Sequence, residues 1–121
     1  MHIGFLTPEY VIPPDRIDGG LANYLKKIAH ALSARGHKVS IIVISDKYAQ
    51  WQDGEVTVHE IKRFSFGRGA YICKYFTPIL LTIGQILSSR RVAKKVWKVN
   101  RNTPFDILQT SNDHAPGLTL V

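Results

Sequence analysis

The run Val39-Ser40-Ile41-Ile42-Val43-Ile44 constrains this chain more than any other segment. Apart from Ser40 it is β-branched throughout, the composition of a strand buried on both faces, as in a parallel sheet. A parallel strand needs a crossover from its neighbour, and the preceding residues supply one. Ile3-Gly4-Phe5-Leu6 reads as a short buried strand. Leu21, Tyr24, Leu25, Ile28 and Leu32 then recur at helical spacing, with Ala29 at the edge of the stripe and Lys26, Lys27 and His30 opposite. Asp18 is placed to cap this helix, and Gly36, after Arg35, to stop it in a left-handed conformation. Strand, helix, glycine turn and strand make a βαβ unit, whose crossover is expected to be right-handed.

The pattern continues less cleanly. Ser45 to Gly54 is polar and turn-prone. From Glu55 to Arg63, Val56, Val58 and Ile61 stand among polar neighbours and indicate a third strand. Phe64 to Gly69 reads as a loop. A helical pattern runs from Tyr75 to about Asn100, with Ile79, Ile83, Ile86, Ala93 and Trp97 on one face. Arg90 shares that face, which implies a snorkelling head group or a break near Ser88-Ser89. Thr103-Pro104 ends the helix, Phe105 to Thr110 is a fourth strand, and Ala115 to Val121 opens another helix. The expected architecture is α/β: one domain over residues 1–121, with a parallel sheet of about four strands and helices on both faces.

Composition removes several function classes. The 45% hydrophobic content excludes a disordered chain. Cys73 is the single cysteine, so neither a disulfide framework nor a thiolate zinc cage is available, and Cys73 reads as a small packed hydrophobe. The N-terminus has no signal-peptide pattern, and the apolar-rich stretch Ala70 to Leu87 is interrupted by Lys74, Pro78 and Gln85. A cytoplasmic protein, peripheral at a membrane if associated with one at all, is the expectation. The net charge of +7 is concentrated: Lys62 to Arg101 holds ten basic residues and no acid, and the remainder has six bases against nine acids. Such a region suits anionic lipid or phosphorylated ligands, or is simply a solvated helix face. Arg90 to Arg101 interleaves Val92, Val96, Trp97 and Val99 with its positive charges, as an interfacial helix does. No nucleic-acid motif accompanies the charge, so a nucleic-acid partner is not expected.

Ligands of open parallel sheets collect beyond the carboxyl ends of the strands, where strand order reverses. Here that rim comprises Thr7 to Gly20, Ser45 to Tyr48 and Ser111 to His114. The loop from Thr7 to Gly20, marked by Pro8, Pro13 and Pro14, is longer than most connections. Gly19-Gly20 opens the first helix, where free N–H groups and the helix dipole favour an anion such as a diphosphate; the same pair would equally serve as a loop terminator. It is neither a dinucleotide fingerprint nor a P-loop, because G-x-G-x-x-G and G-x-x-x-x-G-K-[ST] are both absent. His114 can hydrogen-bond a sugar hydroxyl or move a proton. His2, His30, His37 and His59 read as structural or solvated.

Three stretches together resemble a known family. Gly4-Phe5-Leu6-Thr7-Pro8-Glu9-Tyr10, then Gly19-Gly20-Leu21-Ala22-Asn23-Tyr24, then Ala29 to Val39 with its Arg35-Gly36-His37 turn, are similar to the start of family 4 retaining glycosyltransferases of GT-B fold. Phe105 to Leu118 resembles that family's fourth strand and histidine-bearing loop. The resemblance implies a Rossmann-like, truncated GT-B N-terminal domain, the acceptor-side portion of an enzyme that transfers a sugar from a nucleotide-sugar with retention. It implies that Gly19 and Gly20 lie near the donor diphosphate and that His114, the catalytic candidate, approaches the transferred sugar. Glu9, Tyr10, Asn23 and Asn112 become candidates to line the acceptor site, and neither a metal nor a cofactor is implied. Starch and glycogen synthases carry a lysine shortly before the glycine pair, where this chain has Asp18, so they are not the relatives indicated. The family's donor-binding domain has no counterpart in these residues; the isolated chain is expected to be inactive and to self-associate through uncovered sheet or helix surfaces. The partners implied are a nucleotide-sugar and a sugar or lipid-linked acceptor. The alternative is a non-catalytic module that uses the basic region to bind an anionic membrane surface.

Overall fold

The computed structural model of the protein describes residues 1–11, 19–64 and 77–111. Val39, Ile41, Ile42 and Val43 are almost wholly excluded from solvent, and burying such side chains contributes about 1.5–3 kcal/mol each. They belong to β2 (Lys38–Ser45), the middle of a five-stranded sheet. On one side β2 pairs in parallel with β1 (His2–Thr7), which pairs in parallel with β5 (Ile107–Thr110). On the other it pairs in parallel with β4 (Val56–Lys62), and β4 pairs antiparallel with β3 (Ala49–Asp53). The order is β3-β4-β2-β1-β5.

The sheet is therefore mixed, with five strands where the sequence suggests four parallel ones. The additional strand, β3, lies within Ser45 to Gly54, the segment read as a turn. It is an edge strand joined to β4 by a tight hairpin at Gly54, whose φ of +63° favours glycine.

Alternate residues of the strands feed two separate cores. Ile3, Phe5, Val39, Ile41, Val43, Val56 and Val58 pack with Leu25 and Ala29 of α1 (Gly20–Ala34). Leu6, Ile42 and Ile61 pack with Val92 and Val96 of α2 (Thr77–Asn102). The α1 face that lies deepest is Ala22, Leu25, Ala29 and Ser33, so small residues let the helix approach the strands closely. The sequence stripe is offset from it: Ile28 and Leu32 are half-buried, and Leu21 and Tyr24 are exposed. The N-cap is Gly19 rather than Asp18. At the other end Gly36 has φ +85°, its N–H donates to Ser33 O at 2.9 Å, and His37 N–H donates to Leu32 O at 3.2 Å. Both bonds of a Schellman stop are thus made, as the sequence indicates.

For α2 the expected face is reversed. Ser89, Val92, Val96 and Val99 are buried, whereas Ile79, Ile83, Ile86 and Trp97 are exposed, Trp97 at 73%. Compact valines fit against the sheet; the larger side chains stand outward. Gly4 is required by packing of another kind. A methyl group there would lie 2.8 Å from the Phe105 ring and 2.9 Å from Leu108, so β5 and its lead-in press directly on the β1 backbone.

Candidate functional site

The carboxyl ends of β1 and β5 lie side by side, with Leu6 opposite Thr110. Strand order reverses here: after β1 the chain returns at β2 on one side, and after β4 it returns at β5 on the other. A parallel sheet opens a crevice at such a point, because successive crossovers leave in opposite directions. A cleft of about 320 Å³ occupies that position. Thr7 and Gln109, Thr110 and Ser111 form its strand side; Leu21, Tyr24 and Leu25 form its helix side. Apolar and aromatic walls with a few converging polar groups are the usual make-up of a small-molecule site. The backbone holds the crevice together, since Ser111 N–H donates to Leu6 O at 3.0 Å.

The first turn of α1 stands at this cleft. Gly19 has extended geometry (φ −61°, ψ 175°) and supplies no side-chain cap, and there is no acid in the first turn. A methyl group added at Gly20 would meet nothing within 4 Å, so the backbone is open to approach. At Gly19 the same addition would lie 3.1 Å from Glu9 Oε2, which puts a carboxylate beside the positive end of the helix. Asn23 N–H and the Asn23 carboxamide both reach Gly19 O, at 3.3 and 3.4 Å. Glu9, Gly19, Gly20 and Asn23 are thus gathered at one end of α1.

Tyr10 is placed elsewhere. Its ring lies in the α1-side core, 2% exposed, 6.3 Å from the Trp51 ring. Its hydroxyl donates to Asp53 Oδ2 at 2.9 Å. Burial, and then the Asp53 carboxylate, push the phenol far above its usual range. Burial alone would raise the Asp53 carboxyl, but the Tyr10 hydrogen bond, the approach of His30 and the charge of Lys26 outweigh it and hold the carboxyl low. Lys26 Nζ is 3.5 Å and His30 Nε2 3.1 Å from the same oxygen. This cluster fastens the segment after β1 to the β3–β4 hairpin. A tyrosine so committed serves as a structural anchor. His114 and Asn112 lie outside the described residues, as do Asp18, Cys73 and the helix expected from Ala115.

Sequence reasoning passed over four cleft residues. Leu21 and Tyr24 look like core because they belong to an apolar helical stripe, yet the buried face runs through Ala22 and Leu25, which leaves them on the crevice side; Tyr24 is 59% exposed. Gln109 and Thr110 were indistinguishable from ordinary strand residues. His2 is buried and its roles are fixed by its partners. Nδ1–H donates toward the carbonyls of Thr103 and Pro104, at 3.1 and 3.0 Å, and Nε2 lies 2.8 Å from Ser40 Oγ.

Among the described residues no group of three or more His, Cys, Asp or Glu side chains is arranged to hold a metal ion, and no helix is long and apolar enough to cross a membrane. No family model, curated protein or solved structure matches the chain.

Proposed function

We propose that this chain is the acceptor-side, Rossmann-like portion of a retaining GT-B glycosyltransferase, with α1 and α2 on opposite faces of its sheet. The observation that carries the reading is the open backbone at Gly20, in a first turn of α1 whose Leu21 and Tyr24 line a cleft where strand order reverses. Backbone N–H groups of a first helical turn, with the dipole behind them, stabilise a diphosphate without any cationic side chain. As that diphosphate leaves the transferred sugar its negative charge grows, and fixed donors hold it better than mobile water does. Tyr24 and Leu21 offer an apolar wall to a sugar ring; Gln109, Thr110 and Ser111 offer hydrogen-bonding groups to its hydroxyls. Glu9 and Asn23, beside Gly19, are assigned to the acceptor together with Asn112, and His114 is assigned to the transferred sugar.

Saturation-transfer NMR with UDP-, GDP- and ADP-sugars tests this. Transfer to both nucleotide and sugar protons, reduced by Tyr24→Ala, is the expected result. No transfer with any of them, or transfer indifferent to Tyr24, contradicts it.

A second reading has an observation of its own. Trp97 stands outward between Lys94, Lys98 and Arg101, which line a shallow apolar-floored depression with Ala93, and Ile79, Leu81, Ile83 and Ile86 are exposed on the same helix. Basic residues around an exposed tryptophan suit an anionic lipid surface. The two readings are compatible where the acceptor is lipid-linked. Co-sedimentation with vesicles containing anionic lipid, abolished by salt and by Trp97→Ala, supports the membrane role; equal sedimentation with neutral vesicles opposes it.

A further inference from the structure

A second cleft lies at the opposite end of the strands, between α2 and the β2–β4–β3 side of the sheet. Its volume is about 310 Å³, and its rim carries Lys38, Lys95 and Lys98 with no acidic residue among the lining groups. We propose that this cleft binds a small phosphorylated anion, a phosphomonoester or a diphosphate.

The argument begins with strand alternation. Ile42 and Ile61 give the α2-facing side of the sheet an apolar patch, and Val92 and Val96 cover it. One step toward the amino ends of the strands, the same face becomes polar: Ser40, Thr57 and His59, flanked by Gln50 and Gln52, all line the cleft. A sheet face covered by a helix is ordinarily apolar throughout, because buried polar groups are costly unless paired. Some of these are paired internally: Ser40 with His2, and Gln52 with Thr57 at 3.1 and 3.3 Å. His59 is not. Its ring is 6% exposed, and Nδ1 is buried with no hydrogen-bond partner among the described residues. A buried imidazole with an unsatisfied nitrogen, in a cleft whose rim carries three ammonium groups, is the arrangement expected where an anion completes the network.

Charge fixes the ligand class. Burial first, then the charges of Lys95 and His2, hold the His59 imidazole down at about 4, so at neutral pH the cleft is uncharged at His59 and cationic at its lysines. A phosphate group brings negative charge to Lys38, Lys95 and Lys98 and, by its charge, favours a proton on the His59 ring that lines the cleft. A carboxylate ligand would bring a single charge and two oxygens to a site with at least four donors.

The test is NMR on the 121-residue chain, titrated with inorganic phosphate and pyrophosphate at constant ionic strength, following the His59 ring and the amides of Thr57, Lys95 and Lys98. Saturable shifts at these groups, tighter for pyrophosphate, with the His59 titration moving up from about 4 toward neutrality, are expected. Replacing the half-buried and exposed pair Lys95→Gln and Lys98→Gln should weaken binding about tenfold or more while leaving the folded spectrum intact. Lys62→Gln, outside the cleft, should change nothing. Shifts confined to the first turn of α1, no saturable response at millimolar pyrophosphate, or undiminished binding in the double variant would overturn the proposal. Because the readouts lie on α2 and β4, its failure is separable from failure of the α1 site.

Discussion

Acidification from about pH 7 to about pH 4.5 should destabilise the fold through His59 by about 2 kcal/mol. The ring ordinarily titrates at 6.5, and within the fold it is held down at about 4, by burial and by the charges of Lys95 and His2. In the unfolded chain it takes up a proton as the pH drops below 6.5; in the folded chain it does not until about 4. The unfolded state therefore binds more protons through that window, and stability falls as pH falls. The full gap corresponds to about 3 kcal/mol, of which about 2 kcal/mol accrues by pH 4.5. Against a typical total of about 5–15 kcal/mol this is readily measured. The assay is urea unfolding followed by Trp51 and Trp97 fluorescence, in buffers without phosphate or sulfate, for the native chain and for His59→Gln. The native midpoint should fall by roughly 1 M urea more than the variant's over this range, with similar slopes. Parallel pH dependence in the two proteins would refute the reasoning, whatever their absolute stabilities.

Other perturbations have equally definite outcomes. Gly4→Ala forces a methyl group against Phe105 and Leu108 and should cost about 1–3 kcal/mol in thermal or chemical unfolding. Tyr10→Phe removes a hydrogen bond to a carboxylate and should cost about 1.5–3 kcal/mol at neutral pH. Because the Asp53 carboxyl is held low in the fold, that penalty should be complete above its unfolded value and shrink as the pH falls through its folded one. Glu9→Gln removes the negative charge beside Gly19 and should tighten diphosphate binding at α1 several-fold, an effect that fades with added salt. Sedimentation velocity at micromolar concentration should show self-association through the β5 edge, where Ile107 is exposed, and Ile107→Lys should suppress it.

Burial on both faces is written directly in β-branched residues, which is why β2 and the βαβ unit around it are legible in the sequence. Gly36 is legible for a similar reason, since one backbone conformation demands one residue type. The edge strand β3 is harder: in Ala49-Gln50-Trp51-Gln52-Asp53 only Trp51 packs against the core, so the alternating signal nearly vanishes. Asp53-Gly54, a common hairpin turn, was the clue available. On α2 the larger apolar side chains suggest the buried face, but the helix lies close to the sheet and valines fill that space. At the cleft, periodicity puts Leu21 and Tyr24 in the apolar stripe of α1, but small Ala22 and Ala29 set the buried face and leave those two outside it. Tyr10 joins Asp53 across 43 residues, a pairing that no local pattern encodes.

The most direct test of the account is an amide-resolved titration of the chain with UDP and GDP. The backbone amides of Gly20, Leu21 and Ala22 should shift saturably, together with Thr7 and Gln109 to Ser111, and Gly20→Val should abolish the response. Unmoved amides at the start of α1, with shifts elsewhere or nowhere, would contradict a diphosphate site at the paired glycines.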